Sequence, residues 1–381
     1  MTTKTRNVLL IVLTFLFFLL IYTHFVKKDM SDFEYYIQGG QRILKGETLY
    51  RASDGHLQYK YSPASAVFFS LFALLPYEAA KFIWYFLELT LLFFSLVLSY
   101  NVLPSKHKKK GFIVILTFLV MAKFLGREIE LGQVNIFIFF LLIMMVKAAV
   151  EKNDIKGGLF WGLSLLFKPY ALVFFPYFVL KKRFRLIASG LGTILLGFIV
   201  PVIFYGFSGS LVVLKEWYST LSKSTPSLID HYDNASIHAF FLKNLPAEQR
   251  DVAIICIAGA ALVIGVAFLW MMFQGNKRNL KEPEILEFSF LLILIPLFSP
   301  LAWYYNYLYS ILTVVLLLNL IGKFPPVLKY VLIIDLLAIG ASLREVLGKQ
   351  GFHFYTQHSL VVLSYLIVLC YLFYSRAKNY S

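Results

Sequence analysis

The chain has 381 residues, of which 59% are apolar, 18% aromatic and only 15% charged. Soluble domains carry about 25% charged residues, so this composition excludes an ordinary water-solvated domain and points to a chain solvated by lipid. The formal net charge of +15 does not indicate a nucleic-acid partner, because the basic residues fall in short clusters between apolar runs, as at Lys106–Lys110 and Lys181–Arg185, the placement of cytoplasmic loops under the positive-inside rule.

In chain order, Lys4 and Arg6 precede an uncharged run from Asn7 to Val26, about the twenty residues that a spanning helix needs. No small-residue cleavage site follows, so the run reads as a retained signal anchor with its N-terminus inside. It delivers residues 27–62 to the outside as a first external loop nearly balanced in charge. Within that loop, Ser31 and Glu34 have capping-box spacing and predict a helix from Asp32. Phe33, Tyr36, Ile37, Gly40 and Leu44 then share one face, as expected of a helix lying on the membrane surface. Asp32 falls in the first turn, where free N–H groups and the helix dipole favour an ionised carboxylate. Such a carboxylate can serve as general base for a hydroxyl, or simply complement the dipole.

Pro63–Leu75 is too short to span with ease and reads as a half-helix dipping into the outer leaflet. Tyr77–Val102 returns the chain to the basic cluster at 106–110. Phe112–Gly126 goes out, Arg127–Gln133 reads as a tight, solvated external turn, and Val134–Val150 comes back. A single helix over Gly157–Leu180 would place Lys181–Arg185 outside, against the charge rule. Two short passes hinged at Lys168-Pro169 avoid this, and proline disfavours helix at the residue before it. Leu186–Tyr205 then leads to a second external segment, residues 206–250. Four further passes follow (Val252–Phe273, Ile285–Phe298, Trp303–Ile321, Val327–Leu343), and Thr356–Tyr374 brings the C-terminus inside. The whole is one domain over 1–381, an all-α polytopic membrane protein with about 11–12 transmembrane segments. It has no internal repeat, unlike many transporters.

Candidate chemistry is sparse. Cys256 and Cys370 lie in apolar stretches far apart, which gives neither a disulfide framework nor a cysteine metal site. Lys168 lies between apolar runs, where a charge is expensive unless it has a partner, a role or a route to snorkel. The Arg127–Asn135 segment collects charges and amides, including Gln133 and Asn135. His238 is external and precedes an apolar run; a lone histidine of this kind is as a rule structural. No HExxH, DxD, GxxxxGK[ST] or GxSxG pattern occurs, so nothing points to a zinc site, nucleotide hydrolysis or a serine nucleophile.

The ordered segments Asp32-Phe33…Tyr36…Gly39-Gly40, Tyr59-Lys60-Tyr61-Ser62-Pro63, Gly132-Gln133-Val134-Asn135, Lys168-Pro169-Tyr170, Asn234…Ser236-Ile237-His238 and Ser299-Pro300-Leu301-Ala302-Trp303 resemble glycosyltransferase family 87 of the GT-C superfamily. That resemblance implies a polyprenyl-phosphate-mannose-dependent transferase with a GT-C-like bundle. Its catalytic base is the carboxylate of the first external loop, here Asp32. The chain departs from the family after Trp303, where Tyr304-Tyr305-Asn306 replace an acidic residue or histidine, and after Ser62-Pro63, where Ala64 replaces a second proline. On this reading a hexose, mannose foremost, passes with inversion from a polyprenyl-phosphate donor to a lipid-linked or cell-envelope glycan acceptor. The expected place is the external face of the plasma membrane, with both termini cytoplasmic. Lys168, with His238 second, is the expected cation for the leaving phosphate, and Gln133 and Asn135 are the expected binders of sugar hydroxyls. The lipid-linked sugar is a substrate, and neither a cofactor nor a metal is required. A flippase of lipid-linked saccharides, or a polymerase of envelope glycans, would share the aromatic walls and external cavity.

Overall fold

A computed structural model describes residues 3–224, 228–277 and 283–380, in which every regular element is helical. The N-terminal anchor is α1 (Thr3–Ile21), extended by a turn of π-helix to Val26. The first loop carries α2 (Ser31–Leu44), followed by α3 (Pro63–Ala73) and α4 (Tyr77–Asn101). Helix α5 (Lys110–Leu131) and α6 (Asn135–Val150) form a pair, followed by α7 (Asp154–Phe167), a 3-10 turn from Pro169 to Val173, and α8 (Phe174–Leu180). Then come α9 (Phe184–Ile199), α10 (Val202–Ser224), α11 (Ile237–Asn244), α12 (Arg250–Lys277) and α13 (Glu284–Phe298). The last are α14 (Ile311–Leu320), entered through a 3-10 turn from Tyr304, α15 (Pro326–Ala341), α16 (Arg344–Gln357) and α17 (Val361–Ala377).

By length and composition three described runs can cross a membrane: α4, Arg250–Gly275 of α12 and Tyr304–Lys323. The count rises to five if each of two bent pairs, α9 with α10 at 98° and α15 with α16 at 89°, is one span. Several expected passes are shorter; the 16 residues of α6 cover about 24 Å of a hydrocarbon layer about 30 Å thick. The bundle is therefore a polytopic membrane protein in which short, deeply packed helices surround a few full spans.

The break at Lys168 is a true reversal. Past it, the Trp161 indole donates to Ala171 O at 2.8 Å and packs edge-on to Phe178, while Arg183 ion-pairs Asp154 at the start of α7. Both ends of the hairpin thus lie together and Lys168 lies at its apex. The same end of the bundle gathers other polar turns. Lys152 pairs with Glu284 (2.7 Å), Lys181 with Glu287 (2.8 Å) and Arg376 with Glu287 (3.6 Å). The basic loop before α5 joins them: Asn319 Oδ1 accepts from the His107 and Lys108 amides, and Phe324 packs on Tyr371 and Tyr374 of α17. Arg278 and Lys281, basic residues between the passes Val252–Phe273 and Ile285–Phe298, lie outside the described residues.

The opposite end differs from expectation in three places. Ser31 does not cap α2; the cap position is Met30, in a left-handed conformation (φ 44°) without a side-chain bond, whose amide instead donates to Glu130 O at 2.8 Å. Docking onto α5 replaces the capping box. Nor does α2 rest on a membrane surface. Phe33 stacks on Trp84 and Tyr36 on Phe69, with centroids 5.6 and 4.5 Å apart. At Gly40 an added Cβ would stand 2.7 Å from the Phe69 carbonyl oxygen, so the absence of a side chain there lets α2 and α3 touch backbone to backbone. Finally, the stretch 127–131 continues α5 rather than forming a solvated turn, and α5 ends at Gly132 with φ 65°. The second external segment is likewise largely helical, in α10 and α11.

Candidate active site

Asp32 opens α2 directly above the α5–α6 turn. Three contacts fix it there: the Met30 amide on Glu130, the Trp84 indole donating to Gly132 O at 3.0 Å, and Gly132 against Phe33, where a Cβ would come within 2.9 Å of Phe33 Cβ. The Gln133 amide nitrogen donates to an Asp32 carboxylate oxygen and also reaches the Tyr305 hydroxyl at 3.3 Å. Its oxygen accepts from the Tyr36 hydroxyl at 2.9 Å and from Lys168 Nζ at 3.2 Å. With its proton given to Gln133, the Tyr36 hydroxyl accepts from the Tyr61 hydroxyl at 2.8 Å. A side chain with both ends held in this way cannot rotate freely, so the carboxylate is presented in one orientation.

Behind Gln133 is a second polar layer. Asn135 donates through Nδ2 to Glu128 (3.0 Å) and accepts through Oδ1 from Lys168 (2.8 Å) and Tyr309 (3.2 Å). Glu128 is fully buried and also accepts the Asn135 and Ile136 amides at 2.6 and 3.3 Å. Helix α6 has no side-chain cap of its own, and this carboxylate does that work from the preceding helix. Lys168 lies over the Tyr61 and Tyr170 rings, within electrostatic reach of both Glu128 and Asp32.

Asp32 and Gln133 open onto a cavity of about 630 Å³, a size that suits a small-molecule site. Its walls are largely aromatic, including Tyr35, Tyr61, Trp303, Tyr305 and Tyr355. Its charged lining comprises Asp32 and Asp233 against Lys60, Lys123 and Arg127. Burial raises the Asp32 carboxyl above its ordinary value, while the Gln133 hydrogen bond and then the charges of Lys168, Arg127 and Lys60 pull it back. Burial also lowers the Lys60 ammonium, opposed by the Asp32 carboxylate. Among the described residues no three His, Cys, Asp or Glu side chains converge so as to hold a metal ion.

Four of the five residues expected from sequence are therefore in one network, but only two of them face the cavity. Lys168 and Asn135 stand behind Gln133, and the polar atoms of Asn135 are occupied within the protein, so it supports the site rather than meeting sugar. His238 is placed elsewhere. Ser236 caps α11 by accepting from the Ala239 amide at 3.1 Å, which buries Ile237 and Ala239 and leaves His238 half-buried, outside the cavity lining. The nearby Asn234 is a clamp: it donates to Ile229 O and Pro300 O and accepts from the Ser236 and Ala302 amides. That clamp brings the two distant segments at 234–238 and 299–303 together and seats Trp303 against His231, with ring centroids 5.2 Å apart. His231, Asp233, Lys60, Lys123 and Arg127 were not singled out by sequence. Lys123 carried the same signal as Lys168, a lysine inside the apolar run Phe112–Gly126.

A sequence model of glycosyltransferase family 87 matches residues 59–302, a stretch that holds the Tyr59–Pro63 segment, Gln133, Lys168 and the Asn234 clamp; Asp32 and α2 precede it. No curated protein and no solved structure matches the chain.

Proposed function

Since the chain belongs to glycosyltransferase family 87 and is a membrane glycosyltransferase, we propose that it transfers a hexose, mannose foremost, from a polyprenyl-phosphate donor to a lipid-linked or envelope glycan acceptor, with Asp32 as general base. The observation that carries this reading is the Asp32 carboxylate, held by Gln133 at the wall of an aromatic cavity that also presents cations. The acceptor hydroxyl gives its proton to Asp32 as its oxygen forms a bond to the anomeric carbon. The bond from that carbon to the phosphate oxygen breaks on the opposite face, and polyprenyl phosphate leaves with the electron pair, so the configuration inverts. The leaving group needs positive charge rather than an acid. Lys168 supplies it through the Gln133 layer, with Lys60 and Arg127 on the cavity wall. Aromatic faces suit sugar rings, and an isoprenoid tail can remain in lipid beside the bundle.

The proposed orientation puts this site outside and the termini inside the plasma membrane. It is supported by the gathering of the described basic turns at the opposite end of the bundle, the end expected to face the cytoplasm. The test is purified protein with radiolabelled polyprenyl-phosphate mannose and a membrane-lipid extract. Label should move to a lipid or glycan product with inverted anomeric configuration. Retained configuration, or label that crosses the bilayer unchanged without a product, contradicts the reading.

A further inference from the structure

Lys123 is a cavity-lining lysine of α5 that the reaction described above does not use. It lies eight residues before Leu131, about 12 Å deeper in the bundle than the outer end of the helix. Its ammonium donates to the Ser342 hydroxyl and stands over the rings of Phe124, Tyr355 and Tyr304 at 4.6, 5.0 and 6.0 Å. Among the described residues no carboxylate comes within ion-pair distance of it, whereas the largely buried Lys181 has Glu287 at 2.8 Å. A cation at this depth is expensive without an anion, and ring faces offset only part of the cost. Ser342 marks the elbow where α15 bends by 89° into α16. Helix α16 lines the cavity through Phe352, Tyr355 and Thr356, and exposes Val346, Leu347 and Phe354 on its other side.

We propose that the α15–α16 elbow is the port for a lipid substrate, and that Lys123, positioned by Ser342, binds the phosphate that lipid carries while its tail passes out over α16. A phosphate supplies the missing anion and accepts from Lys123. Ser342 positions the lysine by accepting from the ammonium while its own hydroxyl donates to Ile339 O at 3.0 Å. A phosphate carried by a lipid suits a site at this depth, beside the apolar residues that α16 exposes. The proposal rests on the transferase reading for its substrates: the donor's single phosphate is already placed against Lys60, Arg127 and the Lys168 layer, so the lipid is a glycerophospholipid that anchors an acceptor.

Calorimetric binding to the full chain in detergent tests it independently of sugar transfer, using farnesyl phosphate, dihexanoyl phosphatidylglycerol and neutral farnesol as probes. Lys123→Met should weaken dihexanoyl phosphatidylglycerol about 10- to 100-fold, leave farnesyl phosphate and farnesol unchanged, and be largely rescued by Lys123→Arg. A loss confined to farnesyl phosphate would put the donor at Lys123 and overturn the proposal. In the unmutated protein the phosphatidylglycerol should protect Lys123 from reductive methylation, read by mass spectrometry, and farnesol should not; this arm decides the matter should Lys123→Met fail to fold. Unchanged affinity for phosphatidylglycerol in a folded variant, or no protection by it, overturns the proposal.

Discussion

At the scale of single residues, the site turns on one amide. Gln133 links Asp32 to Lys168, so the proposed base and the buried cation sense each other through a shared partner. Asp32 is raised by burial, and a general base works only when ionised. Transfer should therefore fall as pH drops through that raised value, with an acid limb above the range of an ordinary aspartate, about 4. The Gln133 N–H favours the ionised form, so Gln133→Leu should move the limb to still higher pH. A profile of kcat/KM against pH checks both; a limb in the ordinary range that Gln133→Leu does not move contradicts them. Lys168→Gln should weaken donor binding by less than the ~1.5–3 kcal/mol of a direct charge-assisted bond, because the ammonium reaches the donor only through Gln133. Unchanged donor affinity in a folded variant would mean that the ammonium serves only Gln133 and Asn135. Lys168 was legible in the sequence because a charge between apolar runs stands out, and Asp32 through its place in the first turn of an expected helix and the family resemblance. The cavity-facing Lys60 and Arg127 were not, because beside loop and turn residues a charge looks merely solvated.

At the scale of elements, the α5–α6 turn is the frame on which the site hangs. Glu128 satisfies the first amides of α6 from within α5, and Gly132 makes the turn that lets Phe33 and Trp84 close over it. Glu128→Leu would leave those buried amides without an acceptor and should cost on the order of 2–4 kcal/mol, seen as a lower thermal unfolding midpoint in detergent. Glu128→Gln keeps one acceptor oxygen and should cost less. Equal stability of Glu128→Leu and the unmutated protein would deny the capping role. This frame shows where sequence patterns reach their limit. The charges of Arg127–Glu130 resemble a polar turn, and only tertiary packing reveals that Glu128 faces inward as a cap. In the same way, Ser31 and Glu34 have the spacing of a capping box, but the helix starts from Met30, tied through its amide to Glu130 O of α5, and Ser31 falls inside the first turn. The Lys168-Pro169 reversal was legible, since proline's missing donor acts locally and needs no tertiary information.

At the scale of the molecule, the bundle is polar at both ends for different reasons. One end collects ion pairs between turns, among them Arg183 with Asp154 and Lys181 with Glu287; the other collects Asp32, the α5–α6 turn, the Lys168 apex and the Asn234 clamp around a cavity. Charge patterning foresaw this division, because the arrangement of basic loops encodes which turns share a side. Length patterning did not reveal the bends of 98° after α9 and 89° after α15, where one helix turns sharply into the next. The central claim is that this asymmetry serves one reaction, in which Asp32 takes the acceptor proton. Asp32→Asn preserves the shape of the side chain and cannot act as the base. In reconstituted protein supplied with labelled polyprenyl-phosphate sugar and acceptor, the account predicts transfer slowed on the order of 10²–10⁴-fold with donor binding intact, whereas a near-normal rate from Asp32→Asn would contradict it.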